Sequence, residues 1–101
     1  MIPRKPVSID TALRIYYENP ELGNAEIKEL FGEMSSAAIA KIKRQVRVVQ
    51  SERGVMRFRE NSVNTEIAYE VWGINVADLE RRRAKLLKLN LVKGAEHELH
   101  G

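Results

Sequence analysis

Apolar residues recur at intervals of three and four along most of the chain, the spacing that places side chains on one face of an α-helix. The pattern predicts helices over residues 9–18, 25–31, 36–53, 65–72 and 76–90. Residues 55–60 instead alternate apolar and basic side chains. Because a strand needs a partner and no second segment alternates in this way, we expect an extended connector there. The pattern therefore predicts an all-α domain of five helices.

Each predicted helix has an apolar stripe that we expect to face a common core. The most regular stripe is in the third helix, where Ile39, Ile42, Val46 and Val49 step by three, four and three residues. The other residues expected to face inward are Ile9, Ala12, Leu13 and Tyr16 in the first helix, Ile27, Leu30 and Phe31 in the second, Ile67, Ala68, Val71 and Trp72 in the fourth, and Leu79, Leu86 and Leu87 in the fifth.

Residues that cap or break helices stand at the predicted ends. Serine and asparagine side chains accept hydrogen bonds from first-turn N–H groups, and glycine adopts the positive φ that ends many helices. The expected N-caps are Ser8, Asn24, Ser35 or Ser36, and Asn75, and the expected breaks are Pro20, Gly32, Gly54 and Gly73.

A short repeat groups the helices into two hairpins. Asn24-Ala-Glu-Ile27 and Asn64-Thr-Glu-Ile67 each begin a short helix, which a glycine-bearing turn joins to a longer basic helix. The match fits either a repeated unit or two hairpins that converged. We divide the chain into a flexible basic arm at 1–7, a first helical unit at 8–54, a second helical unit at 55–91 and a tail at 92–101.

Composition excludes several classes of function. The 101 residues include no cysteine, which excludes disulfides, thiolate metal clusters and thiol catalysis. No apolar run approaches the roughly 18 residues that a membrane span needs. The start of the chain also lacks the apolar stretch of a secretory signal. We expect a cytoplasmic protein without membrane contact.

Catalytic chemistry is not indicated either. No phosphate-binding glycine loop, paired carboxylates in a cleft or nucleophile–base pair is recognisable. His97 and His100 lie in the predicted tail, where two ligands without supporting groups make a poor metal site. We expect no metal, no cofactor, no small-molecule substrate and no enzymatic activity.

Charge alternates along the chain more strongly than the net value of +3 suggests. Segment 41–60 has seven basic and two acidic residues and a formal charge of +5. Segment 81–101 has six basic and two acidic residues and a charge of +4. The segments before them, 21–40 and 61–80, carry −3 and −4. A fold that gathers the basic segments on one side would attract polyanions. The alternative is that these are simply solvated, mixed-charge helices.

The segment 24–50 resembles the helix-turn-helix family of DNA-binding proteins. The residues that carry the resemblance are Ile27, Phe31-Gly32, Met34-Ser35, Ile39 and Ile42. The turn is one residue longer than in the commonest pattern, and Lys28 stands where a small alanine is usual. The segment 64–86 resembles the same motif through Ile67-Ala68, Trp72-Gly73-Ile74-Asn75 and Leu79, again with an irregular length.

The resemblance implies that the third helix enters the major groove of DNA. On its outer face Ala37 and Ala40 would allow close approach to base edges, and Arg44 is the best candidate for a guanine contact. We expect phosphate contacts from Lys43 and Arg47 at the edge of this face and from the consecutive arginines of the fifth helix. The full set of candidate DNA-binding residues is Ser36, Ala37, Ala40, Lys41, Lys43, Arg44, Arg47, Arg81, Arg82 and Lys85.

The sequence leaves two functions open. The first is sequence-specific binding of double-stranded DNA, as a transcriptional regulator or as an accessory protein of a phage or mobile element. A homodimer on paired half-sites would suit so small a domain. The second is a protein-assembly or adaptor module that uses the fifth helix, in which Arg83 interrupts the apolar stripe.

Overall fold

The computed structural model describes residues 5–55 and 61–100, with side chains up to residue 89. Within these ranges the chain forms five helices and one two-stranded sheet, so the all-α, five-helix prediction is confirmed. The elements are α1 (Ile9–Glu18), β1 (Glu21–Leu22), α2 (Asn24–Phe31), α3 (Ser36–Arg53), β2 (Val63–Asn64), α4 (Thr65–Val71) and α5 (Val76–His100). The connector predicted at 55–60 lies outside the described residues except for Val55.

Side-chain caps begin three of the helices where the sequence predicts them. The N–H groups of Thr11 and Ala38 donate to the hydroxyls of Ser8 and Ser35, at 3.0 and 3.1 Å. Asn75 caps α5 by accepting from the Asp78 N–H at 2.9 Å. These bonds satisfy first-turn donors that have no partner within the helix.

The predicted cap of α2 is wrong by one residue. Asn24 is the first residue of the helix, and the position before it is Gly23. The Gly23 N–H donates to the Glu26 carboxylate at 2.8 Å, which takes over part of the role of a capping side chain. The Asn24 side chain is thereby free to bind Lys43 on α3.

The small sheet, which the sequence analysis missed, joins the two hairpins. β1 and β2 are antiparallel and pair Glu21 with Asn64 and Leu22 with Val63. Leu22 and Val63 are fully buried. A strand of two residues is too short to show an alternating pattern, so no periodicity indicates it.

Both hairpins share one hydrophobic core. Trp72 at the end of α4 is fully buried, stacks edge-on against Phe31 at a centroid distance of 5.3 Å, and donates through Nε1 to the Ile42 carbonyl at 3.3 Å. Tyr69 donates its hydroxyl proton to the carbonyl of Ala12 at 2.6 Å. The two predicted helical units therefore contribute side chains to one shared core.

Most of the predicted core residues are buried, and the predicted stripes miss four buried apolar residues, of which Leu22 and Val63 lie in the sheet. The confirmed ones are Ala12, Leu13, Ile27, Leu30, Phe31, Ile39, Ile42, Val46, Ile67, Ala68 and Trp72. Tyr16, Val49, Val71 and Leu79 are partly buried against this core. Ile15 and Tyr69 are buried although the predicted stripes omit them.

The C-terminal part of the chain differs from the prediction. α5 continues to His100 over 25 residues, so the tail predicted at 92–101 is helical as far as residue 100. Leu86 and Leu87, which we expected to face inward, are 48% and 47% exposed. The physical reason is that α5 packs on α1, which has only ten residues. Beyond Arg83, which still pairs with Asp10 of α1, the longer helix leaves the body of the domain.

The predicted flexible arm is only partly described. Residues 1–4 lie outside the described part. At the other end of the arm, the Val7 N–H donates to the Leu30 carbonyl at 2.9 Å, which ties this residue to the end of α2. The flexibility expected for the arm as a whole stays a prediction.

Candidate nucleic-acid interface

The turn between α2 and α3 has the backbone conformation that its glycine permits. Gly32 has φ 88° and ψ −169°, a region that is essentially restricted to glycine. Phe31 before the turn is buried, and Met34 within it packs against the core. Ser35 then caps α3. The turn fixes where α3 begins and which side of it faces the core.

One exposed stripe runs along the side of α3 away from the core. We call it the α3 stripe; it consists of Ala37, Ala40, Lys41, Arg44 and Val48, at spacings i, i+3, i+4, i+7 and i+11. All five residues are exposed, and residues at these spacings share a helix face. Ala37 and Ala40 offer only methyl groups, and the cations Lys41 and Arg44 follow them directly along the helix.

The two cations of the α3 stripe are available to a ligand. Among the described residues, neither Lys41 nor Arg44 forms an ion pair or a side-chain hydrogen bond. Ser36, at the start of the same helix, is also exposed. The structure therefore gathers five of the predicted DNA-binding residues, namely Ser36, Ala37, Ala40, Lys41 and Arg44, on an open surface of one helix.

Lys43 does not belong to this surface, and its predicted phosphate contact is wrong. Only 4% of the residue is exposed. Its ammonium donates to Oδ1 of Asn24 at 2.9 Å and to the carbonyl of Asn61. Burial, with a further contribution from the positive charge of Arg47, lowers the pKa of Lys43. The residue is a structural link between α3, α2 and the segment that leads into β2.

Arg47 lies at the edge of the α3 stripe and is half-buried. Its Nε atom is buried and has no hydrogen-bond partner within the described part of the chain. The predicted phosphate contact of Arg47 stays a prediction.

At the far end of α3, Arg53 is paired rather than free. Its guanidinium makes two hydrogen bonds to the carboxylate of Glu70 on α4, at 2.9 and 2.8 Å. This pairing raises the pKa of Arg53 and lowers the pKa of the Glu70 carboxyl. Arg53 therefore serves the packing of α3 on α4.

The candidate residues of α5 lie on a helix that packs against α1, whereas α3 packs against α4. Arg81 and Arg82 are exposed and pair with Asp78 of the same helix at 3.0 and 2.9 Å. Lys85 is exposed. Arg83 pairs with Asp10 of α1 at 2.7 Å, which resolves the question raised by a cation in the apolar stripe. Because α5 packs on α1 and α3 packs on α4, the cations of α5 do not extend the α3 stripe.

Val48 is a member of the α3 stripe that the sequence analysis missed. It is 54% exposed. The signal was present in the spacing, since Val48 follows Arg44 by four residues and Lys41 by seven. An exposed apolar group on the same face as free cations suits a ligand with both apolar and anionic parts.

Comparison with known proteins identifies no relative. The chain matches no protein-family model, and the curated proteins and solved structures give no significant match. The helix-turn-helix resemblance therefore depends on the residues of this chain alone.

The described residues form neither a membrane-spanning helix nor a cluster of metal ligands. None of the helices there combines the length and apolar character needed to cross a membrane. No group of three or more potential metal ligands occurs in the same part of the chain. The side chains of His97 and His100 lie outside the described ones.

Proposed function

We propose that the protein binds double-stranded DNA in a sequence-specific manner through the α3 stripe. The observation that carries the proposal is the exposure of Ala37 and Ala40 immediately before Lys41 and Arg44, which have no ion pair among the described residues. A helix is about 10–12 Å across with its side chains, and the major groove of B-DNA is about 12 Å wide. Alanines at the leading end let such a helix approach the base edges closely.

The members of the stripe suit different parts of the groove. The guanidinium of Arg44 can donate to O6 and N7 of one guanine, while alanine and valine side chains can contact thymine methyl groups. Lys41 and Arg47, towards the edges of the stripe, suit phosphates, which position a protein on DNA without reading its sequence. Val48 therefore joins the candidate base contacts.

The cations of α5 have a secondary part in this proposal. Arg81 and Arg82 are exposed, and their pairs with Asp78 are surface ion pairs, which are weak enough to exchange for phosphate contacts. Lys85 is exposed beside them. The process served would be transcriptional regulation or the accessory functions of a phage or mobile element, with no chemical step.

A salt titration tests the proposal. The affinity for a fluorescent duplex of random sequence is measured by anisotropy between about 50 and 200 mM salt. Phosphate contacts from Lys41 and Arg47 predict a slope of log affinity against log salt near −1.8 per chain, at about −0.9 per phosphate, and each α5 cation that also contacts a phosphate adds about −0.9. Absence of binding at the lowest salt would reject DNA binding in favour of a protein-assembly role.

A pair of variants locates the surface. Arg44→Ala removes a free cation of the α3 stripe, and Arg53→Ala removes a cation of the same helix that lies about 180° away at 100° per residue. We expect Arg44→Ala to weaken binding and Arg53→Ala to leave it unchanged. On a site selected from random DNA, Arg44→Ala should cost about 1–3 kcal/mol if Arg44 contacts a base. An equal loss on all sequences would make Arg44 a phosphate contact.

A further inference from the structure

The second half of α5 has leucines that no described part of the chain covers. Every residue from Glu80 to Leu89 is exposed, whereas Leu79 is packed against the core. The exposed fractions of Leu87 and Leu89 are 47% and 55%. Helices in proteins gain most of their stability from packing of an apolar face. A projecting helix with such a face therefore needs a partner surface.

Leu87 extends a crevice between α1 and α5. The crevice has a volume of about 550 Å³ and is lined by Asp10, Leu13, Arg14, Tyr17, Glu80 and Arg83. Leu87 lies four residues after Arg83 and seven after Glu80, so all three share one face of α5. Tyr17 is exposed at the crevice. One continuous surface with apolar parts thus runs from the crevice onto the projecting helix.

The geometry of this surface suits pairing with itself. Ala84 lies on the same side of α5, between the crevice residues and Leu87. At 1.5 Å per residue, Glu80 and Leu87 are about 6 and 4.5 Å from Ala84 along the helix axis. A two-fold axis near Ala84 therefore pairs two α5 helices antiparallel and brings Leu87 of each copy to the crevice of the other. Such a contact uses the same patch on both copies.

The charges favour the same pairing. Lys88, which lies one turn after Ala84 on the same side of α5, has no carboxylate partner among the described residues. Around the crevice the guanidiniums of Arg14 and Arg83 are outnumbered by nearby carboxylates, which belong to Asp10, Glu18, Glu29 and Glu80. A lysine-bearing helix meets a carboxylate-rich crevice twice in such a dimer. At the base of the helix, Arg83 pairs with Asp10, and Arg81 and Arg82 share the carboxylate of Asp78.

We infer that α5 is a self-association surface, in which Leu87 of one copy docks in the α1–α5 crevice of a second copy and the second copy does the same in return. The occupant is a second copy of this chain. The inference uses no residue of the α3 stripe and does not depend on DNA binding.

Sedimentation of the full chain without DNA tests the inference. We expect a dimer at micromolar concentration. Leu87→Glu should raise the dimer dissociation constant by about 30-fold or more, as at an interface hot spot. Leu89→Glu is the matched control, since it makes the same change at an equally exposed leucine about 200° around the helix. A wild-type chain that stays monomeric at millimolar concentration, or equal effects of the two variants, would overturn the inference.

Cysteine trapping tests the two-fold axis directly, because the natural chain has no cysteine. Ala84→Cys near the axis should cross-link two copies on oxidation, since a disulfide needs Cα atoms within about 7 Å of each other. Lys85→Cys, on the next residue and turned away by about 100°, should not cross-link. Equal cross-linking at both positions would contradict the pairing. Because neither readout contains DNA, failure here leaves the proposed function untouched, and failure to bind DNA leaves the dimer untouched.

Discussion

Lys41 and Lys43 differ by two positions in the sequence, and the structure gives them opposite roles. Lys43→Met keeps the aliphatic volume of the side chain and removes the ammonium, which binds Asn24 and Asn61. Each hydrogen bond from a charged donor contributes about 1.5–3 kcal/mol. Both acceptor residues are exposed, so water can replace the ammonium, and methionine avoids the cost of burying a charge. We expect a net loss of about 2 kcal/mol in the free energy of unfolding.

A loss of this size lowers the melting temperature by about 10 °C in a domain of this length. Urea denaturation followed by the fluorescence of Trp72, the only tryptophan, measures it. Lys41→Met should leave the stability unchanged and reduce the magnitude of the salt slope of DNA binding by about 0.9. For Lys43→Met, measured at a temperature where it is folded, the slope should equal that of the wild type. A Lys43→Met protein of normal stability with a reduced slope would show that Lys43 faces DNA and would refute the reasoning.

Three further predictions concern the turn and the buried polar groups. Gly32→Ala should lower the free energy of unfolding by about 1–3 kcal/mol, because the backbone of Gly32 lies in a region open only to glycine. Gly54→Ala should lower it by about 1–2 kcal/mol, because Gly54 has φ 66° and ψ 29°. Thermal denaturation compares the two variants, and a larger loss for Gly54→Ala than for Gly32→Ala would contradict this prediction. The pKa of Lys43 is lowered in the folded state, so between that pKa and 10.5 the unfolded chain binds more protons than the folded chain. The stability of the wild type relative to Lys43→Met should therefore rise with pH in this range. A difference in stability between the two proteins that does not change with pH in urea denaturation would contradict this. Burial raises the pKa of Tyr69, so Tyr69 ionises first in the unfolded chain, and stability should fall as the pH rises above 10, the ordinary pKa of tyrosine. Tyr69→Phe should lack this fall. At neutral pH it should lower the free energy of unfolding by about 1 kcal/mol, because it loses the hydrogen bond to the Ala12 carbonyl.

The sequence predicted the helices well because their signals are local. The stripes of α2 and α3 and the caps at Ser8, Ser35 and Asn75 depend on residues within one or two turns. The length of α5 was not predictable in this way. The amphipathic pattern identifies the face of a helix that is apolar, but it does not say where the neighbouring helix ends. Leu86 and Leu87 continue the inward face of α5 beyond the reach of α1.

The misassignment of Lys43 has a different cause. Its position is in phase with the buried stripe, four residues after Ile39 and three before Val46, but a lysine at such a position is rarely fully buried. Burial here requires acceptors from Asn24 and Asn61, which are distant in the sequence and meet only in the folded chain. The general expectation for lysine was therefore reasonable and was overridden by tertiary contacts.

The same contacts change what the charge pattern means. Segment 41–60 has a formal charge of +5, yet within its described part Lys43 is buried and Arg53 is paired with Glu70. On α5 the three consecutive arginines are paired with Asp78 and Asp10. The cations left for an anionic ligand on α3 are few and lie together beside small side chains. A surface of that kind favours a specific contact by one helix over general attraction to polyanions, because affinity from phosphate contacts grows with the number of free cations. With so few contacts per chain, association of two chains through α5 would double the number available to one DNA molecule. The self-association surface and the α3 stripe are separate in the molecule, yet both would serve the proposed binding of DNA.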